Sequence, residues 1–171
     1  MLTLILGGAR SGKSRHAQTL AEASGRAVTV VATARAGDAE MTARIARHRA
    51  ERPAHWRTVE EPRALADALA GLDRSDGLVL VDCLTLWLLN LLEAGEEVFR
   101  RERVALLARL PGLAGEVVLV ANEVGLGVVP LGELSRRFVD EAGWLNQALA
   151  RQADRVVFVA AGLPVPLKGQ P

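Results

Sequence analysis

Short, uninterrupted apolar runs alternate along this chain with longer stretches in which apolar residues return every three or four positions. The runs at residues 2–6, 27–33 (AVTVVAT), 78–82 (LVLVD), 117–121 (VVLVA) and 156–160 are rich in β-branched residues and short for helices, so they predict strands buried on both faces. Between them the spacing predicts helices over 13–23, where Ala17 and Leu20 share a face, and over 38–52, where Met41 and Ile45 stand four apart. Pro53 closes that second helix, 57–59 fit a short strand, and 62–72 read as a helix opened by proline. Residues 84–93 are apolar nearly all round and predict a buried helix, 96–110 are charged and amphipathic, and 135–153 form another helix. The stretch around Gly125, Gly127 and Pro130 reads as loop and 156–160 as the last strand. The residues after Gly162, with Pro164, Pro166 and a terminal Gly-Gln-Pro, read as a short, loosely held tail over 163–171.

Continuous apolar strands separated by helices specify an α/β fold, with a mostly parallel sheet, helices on both faces and right-handed crossovers. A chain of 171 residues, 50% of them hydrophobic, supports one domain with a substantial core and is too short for two ordinary ones. Ligands of such sheets bind beyond the carboxyl ends of the strands. The residues that finish the strands here are polar: Thr33, Asp82, Asn122 and Glu123. One such residue alone would cap a turn, but several on one edge point to a site.

The first strand runs directly into Gly7-Gly8-Ala9-Arg10-Ser11-Gly12-Lys13-Ser14, which matches G-x-x-x-x-G-K-[ST] with a strand before it and a helix behind it. Glycines let the backbone wrap an anion, so that several N–H groups and the positive end of the following helix converge on phosphates. In such a loop Lys13 reaches the β- and γ-phosphates, and the Ser14 hydroxyl holds Mg²⁺ together with a carboxylate that ends a neighbouring apolar strand, here Asp82. The expected class is therefore a P-loop NTPase of RecA-like architecture. Glu123 would orient either an attacking hydroxyl or a metal-bound water, and its spacing does not decide between them.

The 38–52 helix carries Arg44, Arg47, His48, Arg49 and Arg52, with Arg44, His48 and Arg52 four apart along one face. Cationic neighbours disfavour a further charge on the ring, which leaves His48 a nucleophilic nitrogen, and the guanidinium groups suit polyphosphate oxygens. The same pattern also describes a solvated basic helix with an incidental histidine. His16 and His55 have no such setting and read as surface or packing residues.

Twenty-one Lys and Arg against twenty Asp and Glu give a formal net charge of +1, so no global field draws the chain to nucleic acid or an anionic membrane. Cys83 is the only cysteine, which excludes an internal disulfide and a thiolate metal cluster and fits a reducing compartment. The start of the chain lacks the basic region and long apolar stretch of a signal peptide, and the most apolar segment, 78–92, is broken by Asp82, Thr85 and Asn90. A soluble, cytoplasmic protein without membrane insertion is expected.

These motifs together resemble the bifunctional adenosylcobinamide kinase and adenosylcobinamide-phosphate guanylyltransferase family. The similarity runs from GGARSGKSRHA (7–17) through ATA (32–34), ARIARHRAERPAHWRTVEE (43–61) and DCLTLWLLNLL (82–92) to NEVGLGVVP (122–130). It continues through Arg136, Phe138, Asp140, Gly143, Asn146 and Gln147 to Asp154, so it covers nearly the whole chain. The resemblance implies phosphorylation of the aminopropanol hydroxyl of adenosylcobinamide by ATP or GTP, then transfer of GMP from GTP to that phosphate, giving adenosylcobinamide-GDP and pyrophosphate. The family passes GMP through a histidine, and the matching position is His48; Arg47 stands where some relatives carry another histidine. Carried over as nucleotide contacts are Gly7, Gly8, Ala9, Arg10, Ser11, Gly12, Lys13 and Ser14, Ala32, Thr33 and Ala34, Arg49, Ala50, Glu51 and Arg52, Glu60, and Asp82. The resemblance also implies a homotrimer with the corrinoid between subunits, where Trp56, Trp87 and Trp144 would stack on the ring if they are not core residues. Gly37, before the His48 helix, would let that helix swing toward the α-phosphate.

Two other classes use a phosphate loop. Another small-molecule P-loop kinase would employ His48 and its arginines only to bind phosphate or acceptor. A nucleotide-switched module or a recombinase-type motor would need either the guanine-reading N-K-x-D, where this chain has Asn122-Glu123-Val124-Gly125, or a basic stripe, which the balanced charge argues against.

Overall fold

A computed structural model describes residues 1–169, apart from the Arg44 side chain. Its strands are β1 (Leu2–Gly7), β2 (Ala27–Ala32), β3 (Arg57–Glu60), β4 (Gly77–Asp82), β5 (Glu116–Asn122), β6 (Arg155–Ala160) and β7 (Leu163–Lys168). The helices are α1 (Lys13–Ala23), α2 (Ala39–Ala50), α3 (Leu65–Leu72), α4 (Leu84–Ala94), α5 (Glu96–Arg109) and α6 (Glu133–Gln152). The strands form one sheet in the order β3-β2-β4-β5-β1-β6-β7. Every pairing is parallel except β6 with β7.

The uninterrupted apolar runs follow from a sheet covered on both faces, because successive side chains enter opposite layers. Leu4, Leu6, Val79, Val81, Val117 and Leu119 pack under α3 to α6 with Trp87, Leu91, Leu106 and Leu145. Their alternates Ile5, Leu78, Leu80, Val118 and Val120 pack under α1 with Ala17, Ala21 and Trp56. At about 25 cal/mol per Å² of apolar surface removed from water, these two layers supply the main drive for folding.

Register sets the functional edge. Gly7 pairs with Asn122 on one side and Val159 on the other, and Asp82 pairs with Ala32 and Val120. The strand ends carrying the phosphate loop, Ala32, Asp82 and Asn122 therefore lie along one rim.

Two readings need correction. Residues 163–168, expected within a loosely held tail after a last strand at 156–160, form β7 antiparallel to β6. Pro164 and Pro166 are compatible with this because an edge strand can spare N–H donors. Helix α3 starts at Leu65 and not at Pro62: the Glu61 carboxylate accepts the Arg63 and Ala64 N–H groups, each at 2.8 Å, in a turn that precedes the helix.

Candidate nucleotide site

Between β1 and α1 the chain makes the tight wrap that the glycine pattern requires. Gly12 sits at φ 97° and caps α1 without any side-chain hydrogen bond, so the first N–H groups of the helix are left for an anion. A Cβ on Gly7 would stand 2.5 Å from both Ser11 Oγ and the Val159 carbonyl, which makes glycine obligatory there. Lys13 is buried, and its Nζ donates to the Gly8 carbonyl at 3.0 Å, across the mouth of the loop. Ser11 Oγ is buried with no hydrogen-bond partner. Ala9 and Arg10 are exposed on the outer turn, and Gly8 and Ser14 are half-buried.

The loop has a brace that sequence reasoning missed. Gly162, at φ 80° in the β6–β7 turn, donates its N–H to the Ser11 carbonyl at 2.8 Å. The segment read as the start of a tail thus fixes the phosphate loop from behind. The Ala161-Gly162 pair between an apolar run and the alternating Leu-Pro-Val-Pro-Leu was the available hairpin signal.

At the β2 and β4 ends, Thr33 is fully buried, and its hydroxyl donates to the Cys83 carbonyl (2.7 Å) while accepting the Cys83 N–H (3.1 Å). Asn90 Nδ2 donates to the Thr33 and Pro62 carbonyls at 2.8 and 3.1 Å. Asp82, joined to Cys83 by a cis peptide, is thereby held at the rim. Burial, reinforced by the Asp82 charge, pushes the Cys83 thiol up, which disfavours the thiolate form. Ala34 is half-buried beside this cluster, and Glu60 is exposed at the end of β3 opposite Ala32.

Helix α2 is capped by Asp38, whose carboxylate accepts the Met41 N–H at 2.7 Å. Among its described residues none is buried. A tether lies just past its end, where Arg52 Nη2 stands 3.8 Å from Asp82 Oδ2, with the two side chains 8% and 16% exposed. Burial pushes the Arg52 guanidinium below its ordinary value, Asp82 opposes that, and Arg49 adds to it. His48 is half-buried; its Nδ1 is shielded without a hydrogen-bond partner, 3.8 Å from Glu51 Oε2. Arg49, Ala50 and Glu51 are exposed, and the proposed stacking of Arg44 on His48 and Arg52 involves a side chain outside the described residues.

The structure thus brings Lys13, Gly8 and Gly12 together in one loop, and Arg52 together with Asp82, while His48 contacts Glu51 on its own helix. Trp56 and Trp87 are core residues, Trp87 donating to the Arg63 carbonyl at 2.7 Å, whereas Trp144 is exposed. His16 lies beside Arg155, and burial followed by that charge holds its imidazole below the usual range. His55 is exposed, edge-on to Trp56. Among the described residues no helix is long and apolar enough to cross a membrane.

Residues 3–167 match the family model described as cobinamide kinase / cobinamide phosphate guanyltransferase. The chain is 62% identical over 172 residues to the bifunctional adenosylcobalamin biosynthesis protein CobP of Pseudomonas aeruginosa, covering 100% of this chain and 99% of that protein. It is 41% identical over 182 residues to the bifunctional adenosylcobalamin biosynthesis protein CobU of Escherichia coli, covering 98% and 100%. Among solved structures it resembles the RadB recombinase, with TM-score 0.52 and 17% identity over 92% of this chain and 73% of that one. It also resembles the Pyrococcus horikoshii protein PH0250, with TM-score 0.56 and 10% identity over 99% and 87%. At those identities the likeness is one of fold, and it is the RecA-like P-loop architecture expected from the sequence.

Proposed function

Because the chain belongs to the cobinamide kinase / cobinamide phosphate guanyltransferase family, we propose that its phosphate loop serves two successive reactions on one acceptor. The enzyme phosphorylates adenosylcobinamide and then transfers GMP from GTP to the new phosphate. In the first reaction the acceptor hydroxyl oxygen attacks the γ-phosphorus, the bond to the β–γ bridging oxygen breaks, the nucleoside diphosphate leaves and the hydroxyl proton is lost. Lys13, Gly12 and the first turn of α1 position the phosphates and offset the charge that moves to the bridging oxygen.

In the second reaction we assign His48 as the nucleophile. Its Nδ1 is shielded, so Nε2 attacks the α-phosphorus of GTP and pyrophosphate leaves. The acceptor phosphate then attacks the same phosphorus, the P–N bond breaks and the imidazole is restored. The Glu51 carboxylate, 3.8 Å from Nδ1, offsets the positive charge that builds on the ring. Helix α2 can approach because none of its described residues is fully buried and Gly37 stands in open space within the irregular connection before it.

Ser14 and Asp82 suit Mg²⁺: both are hard oxygen donors, and Arg52 at 3.8 Å marks Asp82 as a rim charge. Such a cation supplies charge neutralisation on the phosphates. A homotrimer extends the reading. Val128, Val129, Leu131, Leu134 and Leu163 are exposed apolar residues of the size that subunit contacts cover, and sedimentation of a trimer would support it.

The observation that carries this reading is that Arg52 ties the end of the His48 helix to Asp82, on the rim that holds the phosphate loop. GTP labelled at the α-phosphate tests it. The wild-type chain should take up an acid-labile label that His48→Ala lacks, His48→Ala should keep phosphorylating the acceptor, and Lys13→Ala should lose both reactions. Intact phosphorylation with no label in the wild type would leave another small-molecule P-loop kinase.

A further inference from the structure

On the α6 face of the sheet a cavity of about 450 Å³ starts beside the phosphate loop. Its mouth is Glu123, whose N–H donates to the Gly7 carbonyl at 3.0 Å, so it adjoins the first residue of the loop. Glu123 Oε1 accepts the Gly125 N–H at 2.7 Å, which leaves Oε2 for a ligand. The floor is apolar, from Leu6 and Val156 in the sheet to Leu167 on β7. Lys168 closes the far end, its Nζ donating to the Ala150 and Arg151 carbonyls at 3.0 and 3.1 Å.

Two carboxamides from α6, Asn146 and Gln147, line the cavity. Asn146 is 7% exposed, and its buried Nδ2 has no hydrogen-bond partner. A buried donor without an acceptor is costly, and a well-packed helix face would not retain one unless something else supplied the acceptor. The matching ligand is apolar in body, carries amide carbonyls at its edge and ends in a hydroxyl facing the phosphate loop.

We propose that this cavity is the acceptor subsite. Asn146 and Gln147 pair with peripheral carboxamides of the corrinoid, the apolar floor receives one edge of its ring, and Glu123 accepts a hydrogen bond from the aminopropanol hydroxyl and aims it at the loop. This rests on the function proposed above and names the residues that would read its substrate. A cavity of this size holds the arm and one edge of the ring, leaving the rest of the macrocycle outside.

Equilibrium dialysis of the purified full chain against dicyanocobinamide, followed by its visible absorbance, provides the test. Asn146→Leu, which removes the amide at similar volume, should weaken binding by about tenfold. Gly143→Leu gives a second variant, since a Cβ there meets nothing within 4 Å and a larger side chain would fill the cavity without disturbing the helix. It should also weaken binding by about tenfold or more, with the melting temperature within about 1 °C of wild type and the affinity for a fluorescent GTP analogue within about twofold. Glu123→Gln should lower kcat of phosphorylation by about tenfold or more with little change in corrinoid affinity, a split that a merely structural role would not produce. Wild-type corrinoid binding that all three variants retain, with kcat intact, would overturn the subsite and leave the proposed function standing. A wild-type chain that neither binds nor phosphorylates a corrinoid would overturn both.

Discussion

Replacing Gly12 with alanine strikes the phosphate loop at the point where backbone geometry and tertiary packing coincide. Gly12 adopts φ 97°, and a Cβ built on it would stand 3.1 Å from the Gly162 Cα. Holding an L-residue in that left-handed region costs about 1–2 kcal/mol. The contact is with backbone, so relief requires the β6–β7 turn to retreat by a few tenths of an ångström. That retreat weakens the 2.8 Å hydrogen bond from Gly162 N–H to the Ser11 carbonyl, worth about 0.5–1.5 kcal/mol. Together the two effects come to about 2–3 kcal/mol, or a fall in Tm of about 5–10 °C for a chain of this length. Any relaxation also turns the first N–H groups of α1 away from the phosphates, and about 2 kcal/mol lost there is about a 30-fold rise in Kd for GTP. Differential scanning fluorimetry and titration with a fluorescent GTP analogue measure both. Gly8→Ala is the stability control: its Cβ meets nothing within 4 Å, so its Tm should stay within about 1 °C of wild type. A Gly12→Ala chain that melts and binds GTP like wild type would refute the brace and the strained wrap together.

The interior of the rim makes a separate prediction. Asn90→Leu leaves the Thr33 and Pro62 carbonyls without their donor and should cost about 2–3 kcal/mol in urea unfolding; an unchanged midpoint would show that those bonds contribute nothing. Asp73 offers a pH test away from the site. The Ala114 and Gly115 N–H groups bond its carboxylate and hold its pKa below the ordinary aspartate value. A depressed folded-state pKa stabilises above the unfolded value, and that contribution disappears as pH falls through the folded one. Asp73→Asn should therefore lower the unfolding midpoint at neutral pH and converge with wild type in acid below the usual aspartate range, and a gap that persists or widens in acid would contradict this.

The phosphate loop, the five central strands and α1 were legible in the sequence because their signals are local: a glycine spacing, β-branched runs and a helix-forming segment directly after the lysine. Strand β7 was not. It buries no face, carries two prolines, and exists only through its pairing with β6, a tertiary fact that periodicity does not record. The start of α3 was missed for a related reason, since the Glu61 turn displaces the helix past a proline that otherwise looks like its first residue. At the site, the rim carboxylate Asp82 could be read from an apolar strand that ends in an acid. Its pairing with Arg52 could not, because the two stand thirty positions apart and the helix bearing His48 folds over the rim from outside the core. The tryptophans show the same limit: Trp87 and Trp56 differ from Trp144 only in where packing places them.

The most direct measurement of the central claim is the intact mass of the purified chain after incubation with GTP and Mg²⁺. The account predicts a gain equal to one guanylyl group, mapped by fragmentation to the His48 imidazole, reversed by pyrophosphate and absent from His48→Ala. A folded, GTP-binding chain whose mass never changes, while it still converts the phosphorylated acceptor to its GDP derivative, would contradict it.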